Sequence, residues 1–180
     1  MIAEELKKQI RPIDLAVLAG QKRQSPRTGF VHLYPNEEST DTIPLYENFC
    51  YALALFRQKT AESVTQGKEL LAKLLSFQSL EGHFPVYLHD FPRCYDVHMS
   101  LKIAPIFVYL LRLFPAILGD LKPKIECALA KALSKLPEKP PFENRYRACV
   151  GLPLFPVDTT EFSPADWTEW LITAQLSGET

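Results

Sequence analysis

Residues 83–98 gather the side chains best suited to chemistry. Three of the chain's four histidines, His83, His89 and His98, stand there with Asp90 and Asp96. A histidine beside a carboxylate can move a proton near neutral pH or hold a metal ion. The spacings His83-x5-His89 and His89-Asp90-x7-His98 match no zinc pattern, so no metal and no cofactor is expected. His98 reads instead as a general base or as a polar packing residue. Tyr87, Tyr95, Phe84 and Phe91 offer rings that can stack on a sugar or form a small core for the loop itself.

A second set of polar residues recurs along the chain: Tyr46, Glu47 and Asn48, then Tyr95, Asp96 and His98, then Glu143, Asn144 and Arg145. If each set opens a helix of one bundle, the three share a rim. Carboxylates on neighbouring helices, with axes roughly 8–10 Å apart, approach the separations used in glycoside cleavage. Glu47 and Asp96 would then serve as acid and base, with His98 beside them. Tyr46, Asn48, His83, Tyr87, His89, Asp90, Asn144 and Arg145 would hold substrate. The plainer reading is structural: an acid in a first turn favours the helix dipole, and Asn or Asp there can bond free amides.

The elements that must carry these residues read as helices. From about Asp41, Leu45, Phe49, Ala52, Leu53 and Phe56 recur at helical spacing, with Tyr46, Cys50 and Ala54 on the opposite face, so this helix is buried on most sides. Asp41 or Thr42 can cap it. The next, about Ala61 to Phe77, is an ordinary amphipathic helix, with Val64, Leu71, Leu74 and Leu75 along one stripe. The alternation repeats. Val97 to Phe114 is apolar nearly all round, with Pro105 either kinking it or marking its start. Leu121 to Leu136 is amphipathic, and Phe142 to Leu152 is a third inner-type helix. Ser163-Pro164-Ala165-Asp166 opens a last outer helix, running to about Gln175, in which Trp167 and Trp170 read as packing residues. Ahead of these, residues 1–20 give two short helical pieces, the second from Pro12 to Gly20. Residues 21–42 are turn-rich, with Phe30–Tyr34 as a strand or an extended cover.

Pro44, Pro92 and Pro140 fall at equal spacing, and Glu47-Asn48 recurs as Glu143-Asn144. The alternation of inner and outer helices has that same period of about 48 residues, which makes each unit an α-hairpin. A single hairpin cannot bury its inner helix, so neighbours must stack. This pattern resembles the α/α toroid superfamily, which includes six-hairpin glycosidases, polysaccharide lyases, epimerases and terpenoid cyclases. Gln78-Ser-Leu-Glu-Gly82-His-Phe84 is similar to the Gln-x3-Gly-x-aromatic hairpin ends of the cyclases, with Phe in place of Trp. No acidic run of the kind that protonates an isoprenoid is found.

The resemblance implies an all-α fold of three inner–outer pairs, about 41–91, 92–139 and 140–180, forming a partial toroid behind an N-terminal helical cap at 1–40. It also implies a substrate cleft at the rim. Such toroids carry five to seven hairpins. The expected partners are therefore missing C-terminal hairpins of a longer parent or a second copy completing the ring. Residues 1–40 covering a closed three-hairpin bundle are the third option.

Composition narrows the rest. A net charge of −1 with scattered Lys and Arg gives no field for nucleic acid. The longest apolar run, Ala104 to Leu111, is too short to span a membrane. Four cysteines without a CxxC pair in a chain with this core predict reduced, mostly buried thiols and a cytoplasmic setting. Two functions follow: a non-catalytic helical binding or scaffold domain, or a carbohydrate-acting enzyme using Glu47 and Asp96 on a small carbohydrate.

Overall fold

The apolar run from Leu45 folds as expected, into a helix that buries Phe49, Ala52, Leu55 and Phe56 completely. In the computed structural model, residues 11–96, 98–134 and 140–178 are described, with residues 140–142 described for backbone only. The protein is all-α. Among the described residues the helices are α1 (Pro12–Gln21), α2 (Leu45–Gln58), α3 (Ala61–Leu75), α4 (Met99–Leu113), α5 (Pro115–Leu118), α6 (Leu121–Ala132), α7 (Pro140–Val150) and α8 (Pro164–Ser177). Two short 3-10 turns, Thr40–Thr42 and Leu88–Asp90, accompany them, and pairing of extended chain is limited to isolated bridges. None of these helices is long and apolar enough to cross a membrane.

The chain divides into two compact units, Met1–Phe77 with Pro85–Tyr95, and Gln78–Phe84 with Asp96–Thr180. This differs from the expected boundaries at 40, 91 and 139. Residues 11–40 are not a separate cap, because α1 packs on α2 within the first unit. The helical piece expected before Pro12 lies outside the described residues.

In the first unit α2 and α3 form a hairpin. Lys59 turns the chain in the left-handed region (φ 63°), and Thr60 caps α3 by accepting the Ser63 amide at 3.1 Å. Two glycines let the helices close. A Cβ on Gly20 would lie 2.3 Å from the Tyr51 ring, so this residue sits inside α1 for close approach rather than ending it. A Cβ on Gly67 would meet the Phe56 ring at 3.1 Å. Asp41 and Thr42 do not cap α2. They belong to the 3-10 turn, and Pro44 is the residue before the helix.

Phe30–Tyr34 is extended cover rather than a strand. Val31 forms a lone bridge to Gln24, and His32 is fully buried beside it. His32 Nδ1 lies 2.8 Å from Thr42 Oγ1, which itself donates to the Ser39 carbonyl. The Nδ1 atom must therefore be the donor, and Nε2, 3.3 Å from Thr28 Oγ1, the acceptor. This bonding is that of a neutral ring. Burial lowers the His32 pKa, against the opposing pull of Glu37 and Glu38, while Arg27 adds to the lowering.

In the second unit α4 is the central helix, packed by α6, α7 and α8. It buries Ile103, Ala104, Phe107 and Leu110, with the Phe84 ring edge-on to Phe107 at 5.9 Å. The helix runs through Pro105, which neither starts nor ends it. Arg112 donates to the Leu176 carbonyl at 2.9 Å and Tyr109 to Gln175 at 3.0 Å, tying α4 to α8. The hairpins α4–α6 and α7–α8 are both present, with the short α5 inserted in the first. The inner helices start at Leu45, Met99 and Pro140, at unequal intervals. Pro92 lies in a loop well ahead of α4, so the three prolines do not mark equivalent places. α6 also ends earlier than expected, at Ala132.

Two outcomes test this packing. Ala normally stabilises a helix by about 1 kcal/mol over Gly. Gly20→Ala should reverse that sign and cost about 1–3 kcal/mol in urea unfolding, because the methyl overlaps the buried Tyr51 ring. For His32 the folded-state pKa lies below the unfolded value of about 6.5. Its contribution is therefore complete above that pH and is lost as pH falls below it. The unfolding midpoint should drop on acidification from about pH 7 to 5, and the slope should flatten in His32→Gln.

Candidate functional site

Asn48 and Asn144, both expected to hold substrate, are structural clamps. Asn48 is fully buried. Its Oδ1 accepts the Val31 amide at 2.8 Å, and its Nδ2 donates to the carbonyls of Val31 and Pro44, each at 2.8 Å. Asn144 does the same to Phe155, accepting its amide at 2.8 Å and donating to its carbonyl at 3.1 Å. The carboxamide acts as a peptide group in a one-residue β-bridge. The recurrence of Glu-Asn thus has a physical reason: each Asn pins an extended segment across the first turns of its helix. With both amide hydrogens bonded to the chain, Asn48 is no substrate contact. In α4 the corresponding work falls to Ser100, whose hydroxyl accepts the Phe84 amide at 3.1 Å and donates to the Gly82 carbonyl at 3.3 Å.

The dense loop divides between the two units. In the first unit, Leu88 N–H donates to the Ile43 carbonyl and Leu45 N–H to that of Val86, each at 3.0 Å. These bonds set Tyr87 beside the start of α2, near partly buried Tyr46 and exposed Glu47. Asp90 is engaged within its own turn, accepting the Tyr87 amide at 3.2 Å and facing His89 Nε2 at 3.3 Å. The loop has no core of its own. Phe91 packs on Phe77 at 5.5 Å in the first unit, Phe84 on Phe107 in the second, and Tyr95 is exposed.

In the second unit His83 is held by Ser79, whose amide donates to the His83 carbonyl at 2.8 Å while its hydroxyl accepts the His83 amide at 3.2 Å. The Gln-x3-Gly-x-aromatic motif is likewise structural. Gln78 Nε2 donates to the carbonyls of Gly82 and Ala128, both at 2.9 Å. Gly82 adopts φ 94°, and any Cβ there would strike the Lys131 carbonyl at 2.6 Å. Asp96 and His98 are not in the first turn of α4. They precede it, with the Asp96 carboxylate accepting the His98 amide at 2.9 Å. Glu47 and Asp96 fall in different units.

The concave feature with the chemistry of a site lies in the second unit, around the connection from α7 to α8. It is a cleft of about 700 Å³, walled by Phe155, Phe162 and Trp170 and edged by Lys102, Glu143, Arg145, Asp158, Asp166 and Glu169. Ligand sites commonly measure about 300–1,000 Å³. The connection is ordered by α7 itself. Asn144 clamps Phe155, Arg147 lies over the Phe155 ring at 4.0 Å from its centroid, and Arg147 Nε donates to the Pro153 carbonyl. Ser163 and Asp166 form the expected capping box at the start of α8. Arg145 is buried and ion-paired with Glu169.

The carboxylates with displaced titration here are Asp158 and Asp166, both lowered. Thr160 donates its amide and then its hydroxyl to the first, and the Ser163 hydroxyl and then amide serve the second. Sequence reasoning singled out Asn144 and Arg145 in this region but missed Phe155, Phe162 and Trp170 as a wall. The recurring Glu-Asn was the signal that a segment would be pinned there.

Among the described residues no group of three or more His, Cys, Asp or Glu gathers in metal-holding geometry. All four cysteines are free thiols. Cys50 and Cys127 are exposed, contrary to expectation, and burial pushes the partly buried Cys149 thiol up to about 12. Fold and site thus define an all-α protein of helical hairpins with an aromatic-walled cleft. No family model matches the chain, and neither a curated protein nor a solved structure shows significant similarity to it.

The clamps carry a direct test. Asn48→Ala removes three bonds and strands the buried Val31 amide and carbonyl, so it should cost about 2–4 kcal/mol in urea unfolding. Asn144→Ala, holding a more exposed segment, should cost about half as much and speed proteolytic nicking between residues 151 and 162.

Proposed function

We propose that this chain is a non-catalytic helical binding domain whose ligand site is the cleft between α7, α8 and their connection. The observation that carries this reading is the cleft's make-up: a concave space of small-molecule size, with three aromatic side chains and a polar edge. Stacked α-hairpins of toroid type are the architecture we favour. Added hairpins of a longer parent, or a second copy, would complete the ring. A cytoplasmic setting accords with the four free thiols.

The alternative is a carbohydrate-acting enzyme with Glu47 and Asp96 as its carboxylate pair. No observation brings that pair forward: Glu47 is exposed in the first unit, and Asp96 belongs to the second, where its carboxylate accepts the His98 amide.

The test is a fragment screen by nitrogen-15 NMR on the full chain, read at the backbone amides and the two indole N–H signals. Hits should shift Trp170, which lines the cleft, more than Trp167, which packs edge-on to Phe162 at 5.4 Å. Trp170→Ala should abolish the accompanying backbone-amide shifts at Phe155 and Phe162 while leaving the helical circular dichroism intact. Hits confined to residues of the first unit would overturn the reading.

A further inference from the structure

We propose that the cleft's ligand is an organic cation, an amine or quaternary ammonium group on an apolar body; this rests on the cleft being the binding site. Three observations lead there. First, the charges at the cleft are unbalanced. Arg145 is ion-paired with Glu169, which leaves Lys102 and Arg147, the latter over the Phe155 ring, against Glu143, Asp158 and Asp166. A ligand entering such a site gains from positive charge, and an anion is repelled. Asp158 and Asp166 are exposed carboxylates, and hydroxyl and amide donors stabilise their anions further. Those donors meet one oxygen of each carboxylate, Oδ1 of Asp158 and Oδ2 of Asp166. The turns therefore leave the second oxygen of each unused.

Second, aromatic side chains wall the space. Phe155, Phe162 and Trp170 all line the space, and a cation within about 6 Å of a ring centroid is attracted by the ring quadrupole. The protein already uses this attraction in the same wall, since the Arg147 guanidinium sits 4.0 Å from the Phe155 centroid. Third, the cation must be organic. Metal ions need several converging donors, and no such group of His, Cys, Asp or Glu exists among the described residues. Aromatic walls cannot replace the hydration shell of a small inorganic ion, whereas they suit methyl-substituted nitrogen.

The experiment uses three probes on one 4-(hydroxymethyl)phenyl body, bearing trimethylammonium, tert-butyl or carboxylate. Binding is read by titrating the Trp170 indole signal of the full chain. The ammonium probe should bind about tenfold more tightly than its tert-butyl isostere, and the carboxylate should not bind. The double variant Glu143→Gln, Asp158→Asn should weaken the ammonium probe severalfold and leave the tert-butyl probe unchanged. Equal binding of ammonium and tert-butyl, or tighter binding of carboxylate, overturns the cation assignment while the cleft stands as a site. If none of the three shifts Trp170 at millimolar concentration, the cleft reading falls with it.

Discussion

The structure depends on a side-chain amide standing in for a backbone. Extended segments in an all-α protein face a difficulty. Where such a segment is buried, as at Val31, its amide and carbonyl have no strand to pair with, and each unpaired group costs about 1–3 kcal/mol. Asn48 and Asn144 resolve it with one carboxamide apiece, matching both the N–H and the C=O of one residue. Asp lacks the donor, Leu lacks both groups, and Gln places them one carbon further out. Ser100 handles the same task with a hydroxyl, accepting from one residue and donating to another. Each inner helix thus anchors, by its first turns, a stretch of chain that would otherwise be unsatisfied.

A second constraint is distance. The helices of the first unit can touch because Gly20 and Gly67 present no side chain to Tyr51 and Phe56. In the second unit Gly82 lets the segment after α3 lie against the last turns of α6, where Gln78 bonds both the segment and the Ala128 carbonyl of that helix. Gln78 and Gly82 are therefore a joint, and their spacing follows from the geometry of that joint rather than from chemistry on a substrate.

Helical periodicity was enough to place α2, α3, α6 and α8 within a few residues, because burial of one stripe controls both the pattern and the helix. It also paired α7 with α8. Starts were harder. Pro92 matched Pro44 and Pro140 by spacing, yet α4 begins at Met99, since tertiary bonds hold the preceding residues extended or turned. The candidate site was legible only in part. Asn144 and Arg145 stood out through the recurring Glu-Asn and its neighbour. Phe155, Phe162 and Trp170 carry no common sequence signal, because they meet through a clamp on Phe155 and a cap at Ser163. The histidine-rich loop is dense in candidate side chains, but its residues divide between two units, and Asp90 and Asp96 each accept an amide of their own turn.

The cleft's electrostatics follow from the same local bonds that shape it. Hydroxyl and amide groups of Thr160 and Ser163 stabilise the anions of Asp158 and Asp166, and those bonds also fix the turn and the start of α8. A carboxylate stabilised in this way is a poor proton donor near neutral pH, since its acid form is disfavoured in the folded chain. It is, however, a permanent negative charge at low entropic cost, already held in place. The bonds that order the α7–α8 connection thus also hold two anions in fixed places at the cleft, the preorganisation that the proposed cation site would use.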